Sequence, residues 1–331
     1  MLGVLASIYG RFIERRNRRF DDGTTPVTSL PARTISIGNL TTGGTGKTPL
    51  VIKCAEILAG QGKRVAILTR GYGRKTKTRV LVSDVRYILA GPAAAGDEPV
   101  EMAKRLGQKA VIVADADRVS AAAWVKEEFG INVFLLDDAF QHRQAARDVN
   151  ILCIDATDPF GGGKLLPAGR LREPLDAISR ADAVVITRAD AAYVKGIRSE
   201  IMRIAPSVPI FEARTKIARL TPLNNVNPAS ASIAHTKGFA FCGIGNPENF
   251  FGLLERENYD LAGQMRFRDH HRYALSDVKK LENAAEKAVA SYFLTTAKDA
   301  VKLAGLPFKK PVFIVEIAFS IDREADFKAL L

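Results

Sequence analysis

One stretch, NLTTGGTGKTPLV from Asn39 to Val51, constrains this chain more than any other. It follows a short apolar run, RTISIGN, that reads as a buried strand. It leads into a helix expected from Thr48 to Gly60, with Pro49 in the first turn, where a missing N–H is tolerated. A strand, a glycine turn and a helix N-terminus in that order converge backbone N–H groups on an anion. Thr42, Gly43, Gly44, Thr45 and Gly46 would cradle phosphate oxygens, Lys47 would reach the β- and γ-phosphates, and the Thr48 hydroxyl would hold Mg²⁺. The usual G-x-x-x-x-G-K-[ST] pattern places a glycine where Thr41 stands. Gly46-Lys47-Thr48, which approaches phosphate most closely, is intact.

The rest of the chain agrees with such a loop. RVAILTR, AVIVADA, NVFLLDDAF, DVNILCID, ADAVVITR and VPIFEAR are continuous apolar runs bounded by polar residues, with helical stretches around Val119–Phe129 and Ala192–Ile204. Continuous apolar strands alternating with helices predict an α/β fold of the P-loop NTPase type, a mostly parallel sheet with helices on both faces. From about Lys216 to Lys237 the pattern thins, and TPLNNVNPAS reads as a domain junction. A second, smaller α/β domain is expected beyond it, from GFAFCGI, PENFFGLLERENY, DVKKLENAAEKAV, SYFLTTAK and PVFIVEI. The expected division is 1–215 and 216–331.

The length of 331 residues accommodates two such domains, and the net charge of +12 suggests an anionic partner. Nucleic acid is not expected, because aromatics make up only 8% and no basic aromatic-rich motif occurs. Cys54, Cys153 and Cys242 are odd in number and widely spaced, so each reads as a small buried apolar residue in a reducing compartment. No apolar run is long enough to span a bilayer, and the N-terminus lacks a signal-peptide pattern.

The N-terminal arm is nonetheless distinctive. Leu2, Leu5, Ile8, Tyr9, Phe12 and Ile13 recur at helical spacing, and Arg11, Arg15, Arg16, Arg18 and Arg19 follow. An amphipathic helix of this kind lies on an anionic membrane or packs on its own domain. Gly3 and Gly10 weaken it slightly.

Further polar clusters sit at strand ends and in loops. Asp137 and Asp138 end a strand, where a carboxylate is the expected second partner of nucleotide-bound Mg²⁺; a turn cap is the alternative. RGYGR (Arg70 to Arg74) is a phosphate clamp or a basic turn. GGGKLLPAGRLREPL brings Lys164, Arg170 and Arg172 into a glycine-rich loop, AGDEP places Asp97 and Glu98 in a loop, and FRDHHRY presents Asp269, His270 and His271. The histidines read as a metal site, as half of an Asp–His general base assembled across both domains, or as surface residues.

In this order, IGNLTTGGTGKTPLV, RGYGR, GDEP, DDAFQHR, LLPAGRLREP, FCGIGNPENF, FRDHHRY and TTAKDAVKL together resemble the tetraacyldisaccharide 4'-kinase (lipid A 4'-kinase) family over nearly the whole chain. The resemblance implies an ATP- and Mg²⁺-dependent kinase that phosphorylates the 4'-hydroxyl of tetraacyldisaccharide 1-phosphate to give lipid IVA. It implies a peripheral enzyme on the cytoplasmic face of the inner membrane, with residues 1–20 on the anionic surface and a site between two hinged domains. Carried over by position, Asp97 is the base and His270 its partner. Lys47 and Arg172 act on the phosphoryl group, and Thr48, Asp137 and Asp138 hold the metal. Asp299 is placed at the nucleotide. The departures are Thr42, where a signature lysine is usual in related loops, Ala139 for glycine, and Ala297 for glutamate in TTEKD. The alternative is a GTPase or ATPase switch of the metallochaperone type. That class needs a base-reading N-K-x-D, which ITRAD at Ile186–Asp190 does not supply.

Overall fold

The structure is a computed structural model that describes residues 2–223 and 236–331. In chain order the elements are α1 (Leu2–Asp21), β1 (Arg33–Gly38), α2 (Lys47–Gly60), β2 (Val65–Thr69), β3 (Val80–Asp84), α3 (Pro92–Ala95), α4 (Asp97–Leu106), β4 (Ala110–Ala114), α5 (Arg118–Phe129), β5 (Val133–Asp137), β6 (Val149–Asp155), β7 (Ala183–Thr187), α6 (Lys195–Ile204) and β8 (Ile210–Pro222). There follow β9 (Gly238–Cys242), α7 (Pro247–Arg256), β10 (Leu261–Arg266), α8 (Leu275–Lys287), β11 (Tyr292–Thr296), α9 (Ala297–Leu303), β12 (Val312–Ile321) and α10 (Glu324–Leu330).

The strands form one sheet in the order β10-β9-β11-β12-β8-β7-β6-β1-β5-β2-β4-β3. Among the described strands, only β3 with β4 and β8 with β12 pair antiparallel. β2, β4, β5, β6 and β7 are buried along their whole length. Strands covered on both faces leave no position for an alternating polar residue, which explains their continuous apolar sequence. α2, α4 and α10 pack one core cluster against one face, and α5 packs another against the opposite face. β1 sits between β5 and β6, and the chain leaves it to form α2 and then β2 on the far side of β5. The phosphate-type loop therefore opens at a reversal of strand order, where parallel sheets leave a crevice.

β8 spans the expected division at 215/216. Its first residues pair with β7, and Ala213–Pro222 pair with β12, so this strand belongs to both halves. The expected thin stretch thus begins as strand, amphipathic in burial over Lys216–Pro222. Its remainder at 224–235 lies outside the described residues. β3, β10 and α10 are short or edge elements whose sequences carry no long periodic pattern.

The cysteines are buried and free, as their sequence setting suggested. Among the described residues no helix is long and apolar enough to cross a membrane. α1 presents two faces. Tyr9 donates its hydroxyl to the Arg172 carbonyl at 2.9 Å, Ile13 is buried, Arg16 donates to the Gln141 carbonyl at 2.6 Å, and Asn17 donates to Glu173 at 3.1 Å. Gly10 lets the helix approach closely, since a Cβ there would lie 3.0 Å from Leu165. The opposite face leaves Leu2, Val4, Leu5, Ile8 and Phe12 exposed. The helix is thus packed on its own domain along one stripe and unpartnered along the other.

Candidate active site

A cavity of about 550 Å³ opens between the loop after β1 and the second half of the chain. Residues 42–48 form one wall. Gly46 caps α2 at φ 77°, and Gly43 lies at φ 108°, left-handed conformations that a side chain resists. The loop is braced from beneath. Asn39 donates its side-chain N–H groups to the Thr41 carbonyl at 2.7 Å and the Thr45 hydroxyl at 2.9 Å, and Thr187 donates to the Thr45 carbonyl at 2.8 Å. Thr41, in the place of the usual glycine, is buried and bridges Leu171 antiparallel, while Thr42 N–H donates to the Arg170 carbonyl. The backbone at Thr41 and Thr42 therefore ties the phosphate-type loop to the basic loop.

Asp138 meets Lys47 at 3.4 Å and Arg172 at 3.0 Å. Burial raises its carboxyl, but the two cations outweigh that effect and hold it at about 2. Asp137 lacks such a partner and accepts the Thr69 hydroxyl at 2.8 Å. Burial, with Glu98 and Asp138 nearby, pushes it up to about 7. Thr48, Asp137 and Asp138 all line the cavity and offer hard oxygen donors, which suit Mg²⁺.

The opposite wall comes from the second half. His270 faces the cavity, with Nδ1 3.1 Å from Asp97 Oδ2 and Nε2 3.4 Å from Lys298 Nζ. Asp97 itself is 9% exposed and does not line the cavity. Burial raises its carboxyl, but the His270 contact and Lys302 leave it lower than an ordinary aspartate. Asp97 and Glu98 lie in the first turn of α4, not in a loop as their sequence suggested. Gly96, at φ 96°, caps that helix, and Pro99 fits its first turn. His271 turns away, 3.0 Å from Asp277 and stacked on Phe267 at 4.6 Å.

Asp299 is fully buried and does not line the cavity; it accepts from Thr296 at the start of α9 and from Gly243 N–H. Arg74 donates to the Thr78 and Ala114 carbonyls, which makes RGYGR a pinned turn, and its Tyr72 ring lies 5.2 Å from His270. Arg170 pairs with Asp158 at 2.6 Å, and Lys164 is exposed. Among the described residues no cluster of three or more His, Cys, Asp or Glu side chains is arranged to hold a metal ion. His270 and His271 therefore do not form the metal site weighed as one reading of FRDHHRY.

Three features were not singled out as site residues from the sequence. Lys298 lies 3.4 Å from Glu98 and 3.3 Å from Asp269, bridging the two halves. Arg188, at φ 54°, reaches Asp155 at 2.5 Å and the Gly44 carbonyl at 3.1 Å. Phe250, Leu253, Val315, Ile317 and Phe319 add apolar lining to the same cavity. A second hollow, about 580 Å³, lies beside α1 and is lined by Phe12, Arg15, Arg16, Arg19, His142 and Arg143 among others.

The family model for tetraacyldisaccharide-1-P 4'-kinase (LpxK) matches residues 1–331. A tetraacyldisaccharide 4'-kinase of Geobacter sulfurreducens is 41% identical over 92% of this chain and 84% of its own length. One from Halothermothrix orenii is 37% identical over 94% and 84%. The crystal structure of LpxK from Aquifex aeolicus in complex with ATP superposes with a TM-score of 0.78 at 32% identity, covering 98% of this chain and 96% of that one. The switch-protein alternative is not favoured by these relatives, and on this evidence the chain belongs to the tetraacyldisaccharide-1-P 4'-kinase family.

Proposed function

We propose that the chain transfers the γ-phosphoryl group of ATP to the 4'-hydroxyl of tetraacyldisaccharide 1-phosphate, giving ADP and lipid IVA. The observation that carries this reading is the pairing of an Asp97–His270 couple with a phosphate-type loop at the same cleft. The loop N–H groups and the α2 N-terminus bind the phosphates, with Lys47 at the γ-phosphate. The apolar wall at Phe250 and Leu253 suits the adenine ring. The sugar hydroxyl is a weak nucleophile. As its oxygen bonds to the γ-phosphorus and the bond to ADP breaks, its proton passes to the Asp97–His270 pair. Asp97 is already ionised, as a proton acceptor must be. Arg172 and Lys47, held ready by Asp138, offset charge on the transferring group.

Thr48, Asp137 and Asp138 would hold Mg²⁺. The fit rests on the donor set and on Asp137, a carboxyl that burial and the nearby Glu98 and Asp138 push up to about 7 and that a divalent ion would favour in its ionised form. When bound, Mg²⁺ neutralises charge on the phosphate chain. Asp299 supports the nucleotide wall indirectly, by bracing Gly243 next to Ile244 and Gly245.

Substrate access follows from α1. Its exposed apolar stripe suits the bilayer edge at the cytoplasmic face of the inner membrane, and the basic hollow beside it suits the acidic headgroup. The hinge between 1–215 and 216–331 would close the cleft and exclude water as a competing acceptor. The test is phosphoryl transfer from labelled ATP, with Mg²⁺ and detergent-dispersed tetraacyldisaccharide 1-phosphate. Labelled lipid is expected; its absence with folded protein would refute the proposal.

A further inference from the structure

Beside the Asp97–His270 pair lies a buried cation that the chemistry above does not use. The Lys302 side chain, on α9, is 6% exposed, and its ammonium is 3.0 Å from Asp299 Oδ1 and 3.4 Å from Asp97 Oδ2. The Tyr273 ring centroid is 5.7 Å away. Asp299 uses its other oxygen, Oδ2, to accept Gly243 N–H at 2.9 Å. The Gly243 carbonyl in turn accepts His270 N–H at 3.2 Å. With His270 Nδ1 3.1 Å from Asp97 Oδ2, these contacts close into a ring that runs Asp97, His270, Gly243, Asp299, Lys302 and back to Asp97. Only Asp97 comes from the first half of the chain.

The physics of such a ring is specific. A buried ammonium needs anionic partners, because leaving it uncompensated is costly. Among the described residues of the second half, Asp299 is the carboxylate paired with it. Bringing up α4 adds a second carboxylate, which the ammonium attracts only if that carboxylate is ionised. We propose that Lys302 is the positioning residue of the general base: it fixes the ionised Asp97 carboxylate against His270 and makes a complete base conditional on α4 meeting α9. This rests on the assignment of Asp97 and His270 as the base. The groups around Asp97 are Glu98 and Glu101 on its own helix, Asp269 and His270 after β10, and Lys298, Asp299 and Lys302 on α9.

The experiment measures phosphoryl transfer across pH for the full chain and for Lys302→Met, Lys302→Arg, Asp299→Asn and Asp97→Asn. Lys302→Met should lower kcat about 10- to 100-fold with KM for ATP unchanged, because a misplaced base costs rate rather than nucleotide binding. It should also move the acid limb of the kcat profile up by about one pH unit or more, since a cation no longer favours the ionised carboxylate. Lys302→Arg should return most of that shift. Asp299→Asn keeps an acceptor for Gly243 N–H while removing a negative charge, so its limb should move down. A packing defect alone would lower kcat without moving either limb, and that result overturns the proposal. If Lys302→Met does not fold, an upward or absent shift in Asp299→Asn overturns it instead. Full activity in Asp97→Asn would sink the base assignment itself. An inactive Asp97→Asn beside a Lys302→Met of wild-type rate and profile would sink only the role of Lys302.

Discussion

Changing Leu5, Ile8 and Phe12 together to glutamine should release the protein from anionic vesicles while leaving the site competent. These side chains are 46%, 59% and 64% exposed, whereas Tyr9, Ile13, Arg16 and Asn17 hold α1 to the domain from its other face. The fold therefore does not depend on the three residues, and glutamine keeps a good helix propensity. Full transfer of a large apolar side chain out of water is worth about 1.5–3 kcal/mol, so roughly half of each, over three residues, gives about 2–4.5 kcal/mol. That corresponds to a loss of about two to three orders of magnitude in vesicle affinity. The assay is co-sedimentation with phosphatidylglycerol-containing vesicles, with phosphoryl transfer to detergent-dispersed substrate as the control. Wild-type binding should also weaken with salt, because Arg11, Arg15, Arg18 and Arg19 contribute by screened attraction. Vesicle affinity that is unchanged in the triple variant would refute the assignment of the stripe to lipid.

Two further outcomes are expected. Burial pushes the Asp137 and Glu101 carboxyls up to about 7 from ordinary values of 3.8 and 4.5. A raised carboxyl favours the folded state below its ordinary value and loses that contribution as pH rises through about 7. The melting temperature of the nucleotide-free protein should therefore fall between about pH 4 and 7, and Asp137→Asn should flatten that decline in a thermal-shift series. Gly46→Ala combines φ 77° with a new Cβ 3.2 Å from Thr187, and the left-handed strain alone is about 1–2 kcal/mol. It should weaken ATP binding about tenfold or more by calorimetry, whereas Gly60→Ala, with nothing within 4 Å of its added Cβ, should not.

The local features of the site were legible in the sequence. The phosphate-type loop, the α2 helix behind it and Asp137-Asp138 at a strand end depend on contacts between near neighbours, which leave a mark in spacing. Parallel strands buried on both faces must be apolar throughout, so their positions show as well. The two faces of α1 were written in its periodicity, but which of them met the domain was not. His270 and His271 are adjacent in the chain, yet one meets Asp97 and the other Asp277. Asp299 reads as a nucleotide contact and instead braces Gly243 and pairs with Lys302. Asp97 and His270 stand 173 residues apart, and the bridge from Lys298 to Glu98 spans 200. Such contacts exist only because one sheet runs through both halves of the chain and sets α4 against α9. Sequence determined the pieces whose energetics are local; the Asp97–His270 contact, the buried Lys302 beside it and the apolar wall of the cavity were decided by packing between distant segments, for which no short pattern is required.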